Sequence, residues 1–297
     1  MADYGQDIRL GVFITPTNAS PRHPVGLAVA AEEAGIDLVT FQDHPYQPRY
    51  LDTWTLLSFV AARTSTVTLS GNVLNLPLRQ PAVLARSVAS LDLLSGGRVE
   101  LGLGTGAFWD AIEAMGGERL TPGRAVDALE QAIDVVRALW DTGASGGATA
   151  GGDLHRVKGA KRGPAPAHDV GIWLGAYKPR MLALTGRVAD GWLPSVGYLS
   201  GGLDDLGPMS RRVDGAAREA GRDPADVRRL LNVSGRFAAD GSGFLEGPPR
   251  LWAEQLADLA LLHGTSTFVL AADDETTIRT WAHEVGPALK ELVAAER

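Results

Sequence analysis

An alternation of short apolar runs with helical stretches, repeated eight times, constrains this chain more than any single motif does. The runs IRLGVFI (8–14), IDLVTFQ (36–42), VTLSG (67–71) and RVELGLG (98–104) are short and bounded by Gly, Asp or Pro, the form of buried parallel strands. Apolar residues at helical spacing predict helices over 24–34, 52–63, 80–94 and 122–140. Pro24, Pro81 and Pro122 stand where a first-turn proline fits, and Gly35 and Gly96 stand where chains leave helices. The rhythm lapses over 141–169, where DTGASGGATAGGD is glycine-rich and at most a short hairpin or loop fits. It resumes with VGIWLG (170–175), DGWLPS (190–195), RRLLNVSGRF (228–237) and TSTFVLA (265–271). Helices follow these runs from Pro179, at about 208–220, at 249–263 and at 275–295.

Strand then helix, eight times over, favours a closed α/β (β/α)8 TIM barrel over an open sheet, since such barrels take ~250 residues. The excess length falls into insertions after strands 4, 6 and 7, and residues 1–297 read as one domain. Lys plus Arg is 28 against 35 Asp plus Glu, a net charge of −7 with no basic stripe, so nucleic acid is not an expected partner. With no cysteine there are no disulfides, thiolate ligands or cysteine nucleophile. The N-terminal stretch lacks a leader pattern and no window is apolar enough to span a membrane, which points to a cytoplasmic protein. The histidines show no metal-ligand spacing, and no G-x-S-x-G elbow marks a hydrolytic serine.

In a parallel barrel the site lies at the carboxyl ends of the strands. Asp43 and His44 end the second strand; they form either a turn with a partly exposed imidazole or an acid/base pair in which the carboxylate tunes the imidazole. GLGTG (102–106) ends the fourth strand, where glycines stop a strand sterically or let backbone approach a ligand. It is no dinucleotide fingerprint, because no third glycine stands in register. GAYKPR (175–180) joins a strand end to a helix beginning at Pro179. The backbone N–H groups of Gly175 to Lys178, with the charges of Lys178 and Arg180, make an anion seat there. Trp109 and Trp192, at strand ends, are either packing residues or pocket walls.

Taken together, FQDHPYQP, SGNVLNLPLRQPAVLARSVASLDLLSGGRVELGLGTG and GRVADGWLPS resemble the bacterial luciferase-like monooxygenase superfamily, barrel enzymes that use FMN or the deazaflavin coenzyme F(420). The resemblance spans nearly the whole chain. It implies a ring seated on a third-strand bulge, often with a cis peptide, at Asn72–Val73, a phosphate seat at Gly106 and the turn of Gly175, Ala176, Tyr177 and Lys178, and further cofactor contacts at Gly104 and Thr105. It places His44 and Asp43 as a catalytic pair beside the ring and Asp110 near the cofactor. Similar sugar-phosphate dehydrogenases carry Glu where this chain has Ala107 and Trp where it has Pro48, so a less polar small-molecule substrate is expected. The resemblance implies hydride transfer with coenzyme F(420), with FMN-dependent monooxygenation or a non-catalytic flavin-binding barrel as alternatives, in a homodimer. A barrel aldolase or isomerase is disfavoured because no strand carries an interior lysine.

Overall fold

The computed structural model describes residues 3–241 and 243–297. In chain order the first half gives β1 (Arg9–Ile14), α1 (His23–Glu33), β2 (Leu38–Phe41), α2 (Thr53–Ala61), β3 (Thr68–Gly71), β4 (Leu74–Asn75), α3 (Pro81–Ser95), β5 (Val99–Gly104), α4 (Trp109–Ala114) and α5 (Pro122–Trp140). The second half gives β6 (Ala148–Gly151), β7 (Arg156–Ala160), β8 (Ile172–Leu174), α6 (Pro179–Val188), β9 (Gly191–Trp192), α7 (Leu206–Glu219), β10 (Arg228–Val233), β11 (Arg236–Phe237), β12 (Glu246–Gly247), α8 (Pro249–His263), β13 (Thr267–Ala271), α9 (Glu275–Thr280) and α10 (Gly286–Glu296). Local chemistry sets the helix starts. Asp52, Gln80 and Thr121 accept hydrogen bonds from the first turns of α2, α3 and α5, and proline opens α3 and α5.

The strands join in the order β3-β2-β1-β13-β10-β9-β8-β5-β4, and a further β3–β5 pairing closes the ring. Because β3 and β4 are two halves of one interrupted strand, the result is an eight-stave parallel barrel with helices outside, as the sequence rhythm predicts. The additional segments fall after β5, β9 and β10, and the glycine-rich stretch forms the antiparallel β6–β7 hairpin. Strand alternation sends Val39, Phe41, Leu69 and Leu101 into the main core with the helices. Leu38, Trp173, Leu230 and Val269 form a separate cluster on the opposite face of the strands, with Phe13 and Val73 packed against it. Full burial of a large apolar side chain contributes ~1.5–3 kcal/mol.

One helix departs from expectation. The stretch predicted as a continuous helix over 275–295 is broken by a π-helical turn at Trp281–Val285. The wider turn accompanies a fully buried Trp281, whose Nε1 donates to the Gly11 carbonyl at 3.1 Å, and Gly286 then passes so close to Leu10 that a Cβ would stand 2.4 Å from its Cδ1.

Candidate active site

The mouth of the barrel is shaped by a break in its third stave. Asn72 and Val73 lie between β3 and β4, outside the ladder, and the bond joining them is cis. Two glycines permit the fold-back. A Cβ on Gly71 would stand 2.4 Å from Leu74 Cδ2, and one on Gly102 would stand 2.1 Å from the Gly71 carbonyl oxygen. The bulge turns Val73 toward the glycines of the neighbouring staves: a Cβ on Gly104 would lie 2.8 Å from a Val73 methyl, while at Gly175 the separation is an ordinary 3.5 Å. Gly104 is therefore bare to admit Val73. Gly106 has φ +94° and a Cβ there would lie 2.7 Å from Pro77, so its backbone conformation requires glycine, while the half-buried Thr105 side chain forms no hydrogen bond within the described residues.

At the end of β2 the Asp43 carboxylate is buried and turned to Arg79, whose Nε and Nη2 each donate at 2.7 Å; the Asn75 backbone N–H donates at 2.8 Å. Burial alone would lower the Arg79 pKa, but the bonds to Asp43 and the charges of Asp43 and Asp52 raise it above its ordinary value. No hydrogen bond joins Asp43 to His44 among the described residues, so of the two ways in which a carboxylate tunes an imidazole, fixing its tautomer or raising its pKa, the geometry leaves the second. Its influence is electrostatic. Burial lowers the His44 pKa and the Asp43 charge offsets part of that shift.

His44 is half-buried, and neither ring nitrogen is taken up by another described residue. Its ring stacks on Tyr46, with centroids 5.4 Å apart, more closely than on Tyr50 at 6.5 Å, and meets the edge of Phe108 at 5.5 Å. Tyr46 and Phe108 thus flank His44, while Pro48 is exposed. Phe108 is the N-cap of α4, with left-handed φ 58° and an exposed ring, a conformation uncommon for a bulky residue. Beneath this wall the Tyr46 hydroxyl and Asn75 Oδ1 are buried without a hydrogen-bond partner among the described residues. Burial, followed by the Asp43 charge, raises the Tyr46 pKa and keeps its hydroxyl a donor.

The second predicted seat is at the start of α6. Its N-cap Lys178 provides no side-chain cap, and the N–H groups of Ala176, Tyr177 and Lys178 have no protein acceptor among the described residues; that of Gly175 reaches the Leu103 carbonyl at 3.4 Å. Arg180 is turned away from this seat and bonds Asp127 and the Gly123 carbonyl of α5. Asp110 is also not gathered in: its side chain is fully exposed and paired with Arg119. Trp192 is a core residue, donating to the Ala176 carbonyl at 2.9 Å. No group of three or more His, Asp or Glu among the described residues has the arrangement of a metal site.

Sequence reasoning did not single out Asn232, Ser195 or Arg79, all of which bond to a predicted site residue or its immediate partner. A lone amide in the apolar run RRLLNV was the available signal for Asn232.

Fold and site together define a (β/α)8 barrel with a broken third stave at its mouth, a lone imidazole on one side of the break and an uncapped helix start on the other. The chain belongs to the luciferase-like monooxygenase family, which matches residues 8–240. It is 29% identical over 298 residues to an F(420)-dependent glucose-6-phosphate dehydrogenase of Kribbella flavida, an alignment covering 92% of this chain and 87% of the relative. It is 34% identical over 202 residues to a 5,10-methylenetetrahydromethanopterin reductase of Methanolobus tindarius, covering 67% of this chain and 57% of that protein. An F(420)-dependent secondary alcohol dehydrogenase solved with an F(420)-acetone adduct shares the fold at 18% identity, with a TM-score of 0.84 over 96% of this chain and 99% of that one.

Proposed function

We propose that this protein is a coenzyme F(420)-dependent oxidoreductase acting on a small, weakly polar organic substrate, and that the chain works as one domain. The observation that carries the reading is the Asn72–Val73 bulge, which presents an apolar knob at the mouth between Gly104 and Gly175. The available groups fit a planar coenzyme with an anionic tail. Val73 offers an apolar face, Tyr46 and Asn75 hold buried polar atoms without partners among the described residues, and the Ala176–Lys178 N–H groups suit a phosphate. When bound, such a coenzyme supplies two electrons as a hydride.

The chain's own residues would do the rest. Val73, admitted by the bare Gly104, would seat the ring, and Tyr46 and Phe108 would exclude water around His44. An imidazole nitrogen of His44 takes up or returns the substrate's proton, and its lowered pKa keeps it a neutral acceptor near pH 7. Asp43 acts through its charge, held in place by Arg79. The aromatic wall beside Ala107 favours an uncharged substrate over a sugar phosphate.

The test is an equilibrium titration of the pure protein with coenzyme F(420) and with FMN, followed by quenching of tryptophan emission. Tighter binding of the deazaflavin is expected. Preference for FMN would replace the cofactor assignment with a flavin monooxygenase, and binding without turnover of any alcohol, ketone or enone would favour a non-catalytic barrel.

A homodimer formed through α2 and α3 is part of this proposal. Phe59, Val83, Leu93 and Leu94 are exposed there, beside a groove of about 560 Å³ lined by Trp54, Ser58, Ser87 and Leu91. A second copy of the same face would cover these apolar groups by two-fold symmetry. Sedimentation should show a dimer that Leu94→Glu converts to a monomer; a monomeric parent protein would refute this part. No helix among the described residues is long and apolar enough to cross a membrane, and a cysteine-free chain using a reduced coenzyme fits a cytoplasmic setting.

A further inference from the structure

Behind the bulge lies a polar network in which the side-chain amides of Asn72 and Asn232 use all of their donor and acceptor groups. The Thr40 hydroxyl donates to the Val12 carbonyl at 3.1 Å and accepts from Asn72 Nδ2 at 3.2 Å. Asn72 Nδ2 also donates to Asn232 Oδ1 at 2.6 Å, and Asn232 Nδ2 returns a bond to Asn72 Oδ1 at 3.1 Å. The other proton of Asn232 Nδ2 goes to Ser195 Oγ at 3.0 Å. Ser195 in turn donates its backbone N–H to the Tyr177 hydroxyl at 2.8 Å. Both N–H groups and the carbonyl of the Asn232 amide are therefore used, and no other side chain with this fork would satisfy both neighbours from that position.

The two ends of the chain of bonds are informative. One end is Asn72, the residue that enters the bulge; the other is Tyr177, between Ala176 and Lys178 in the turn that opens α6. Asn232 stands between them on β10, with its backbone N–H bonded to the Pro194 carbonyl at 2.9 Å and a bridge to Ser195, so its position is set by the barrel itself.

We propose that Asn232 is a positioning residue that registers the bulge at Asn72–Val73 with the turn at Tyr177–Lys178, so that a ligand's ring and its anionic tail are held at a fixed separation. The inference rests on the deazaflavin reading above. Loss of the amide leaves each seat present but frees one to drift relative to the other, and the advantage of a ligand that spans both is what declines.

The test compares the intact coenzyme with its deazaflavin chromophore bearing the ribityl chain and no phosphate. In the parent protein the intact coenzyme should bind at least tenfold more tightly. In Asn232→Ala that ratio should fall at least fivefold, Asn72→Ala should do the same, and the double variant should lose no more than either single one. A folded Asn232→Ala with an unchanged ratio, or with equal losses for both ligands, overturns the proposal and leaves the deazaflavin reading intact. If Asn232→Ala does not fold, Tyr177→Phe carries the same test: it removes only the acceptor of the Ser195 N–H, and its ratio should fall too. Failure of the parent protein to bind either compound refutes the functional reading and this inference with it.

Discussion

Arg79 holds Asp43 in a two-pronged bond, Nε and Nη2 each 2.7 Å from a carboxylate oxygen, one residue before the imidazole at the barrel mouth. The carboxylate is fully buried and the guanidinium nearly so, with side-chain exposures of 0% and 16%. Desolvating such a pair offsets much of its attraction, yet removing one partner strands a buried charge. Arg79→Met should therefore lose ~3–5 kcal/mol in a denaturant melt, and adding Asp43→Asn should restore most of it. A loss under ~1 kcal/mol for Arg79→Met would show that water reaches Asp43 freely.

His44 should matter to turnover and not to binding. His44→Ala is expected to retain the coenzyme while lowering kcat by ~10²–10⁴-fold, the range of general acid–base catalysis. Because burial sets the folded pKa below 6.5, the unfolded imidazole takes up its proton first as pH falls. Stability from this group is thus present above pH 6.5 and lost on acidification toward the folded pKa. With His44 proposed as the proton acceptor, substrate oxidation should lose kcat/KM over the same acid limb, and the limb should vanish in the residual activity of His44→Ala. An acid limb that survives in the variant assigns the proton transfer to another group.

Phe108 is held at φ 58°, where an L side chain costs ~1–2 kcal/mol and glycine costs none. Phe108→Gly and Phe108→Ala both remove the ring edge from His44, so both should raise the substrate KM. They should differ in stability, the glycine variant melting higher by an amount equivalent to ~1 kcal/mol. If alanine proves equal to glycine, the left-handed conformation is not kept in solution.

The parts of this molecule that are legible in sequence are those fixed by neighbours close along the chain. Pro81 and Pro122 mark helix starts, and the apolar runs ending at Phe41, Gly104 and Leu174 become staves of the barrel. Partners far apart in sequence leave no such mark. Asn232 meets Asn72 across 160 positions and Arg79 meets Asp43 across 36, and in each case only one member of the pair stood out as a site residue. Charge placement is least legible. Arg180 sits in the first turn of α6, where its charge suits an anion, but Asp127 on the neighbouring α5 is near enough to draw it aside. The π turn at Trp281 reflects the need to bury one indole against β1, which helical periodicity does not encode.

His168 lies outside the barrel mouth, between two carboxylates. Its Nδ1 lies 3.0 Å from the Asp92 carboxylate and its Nε2 lies 3.8 Å from Glu100. Its pKa is raised to about 9, by Glu100 foremost and then by Asp92, against the opposing effect of burial. A group whose folded pKa is raised contributes fully below its unfolded value near 6.5, and that contribution disappears as pH rises through about 9. The ring is 33% exposed, so solvent screening cuts the effect to ~1–2 kcal/mol. His168→Gln should unfold at lower urea than the parent protein at pH 6, and the two midpoints should converge by about pH 10. Equal midpoints at pH 6 would show that the imidazolium is not bound by its two carboxylates, and a gap that persists at pH 10 would assign the loss to packing rather than charge.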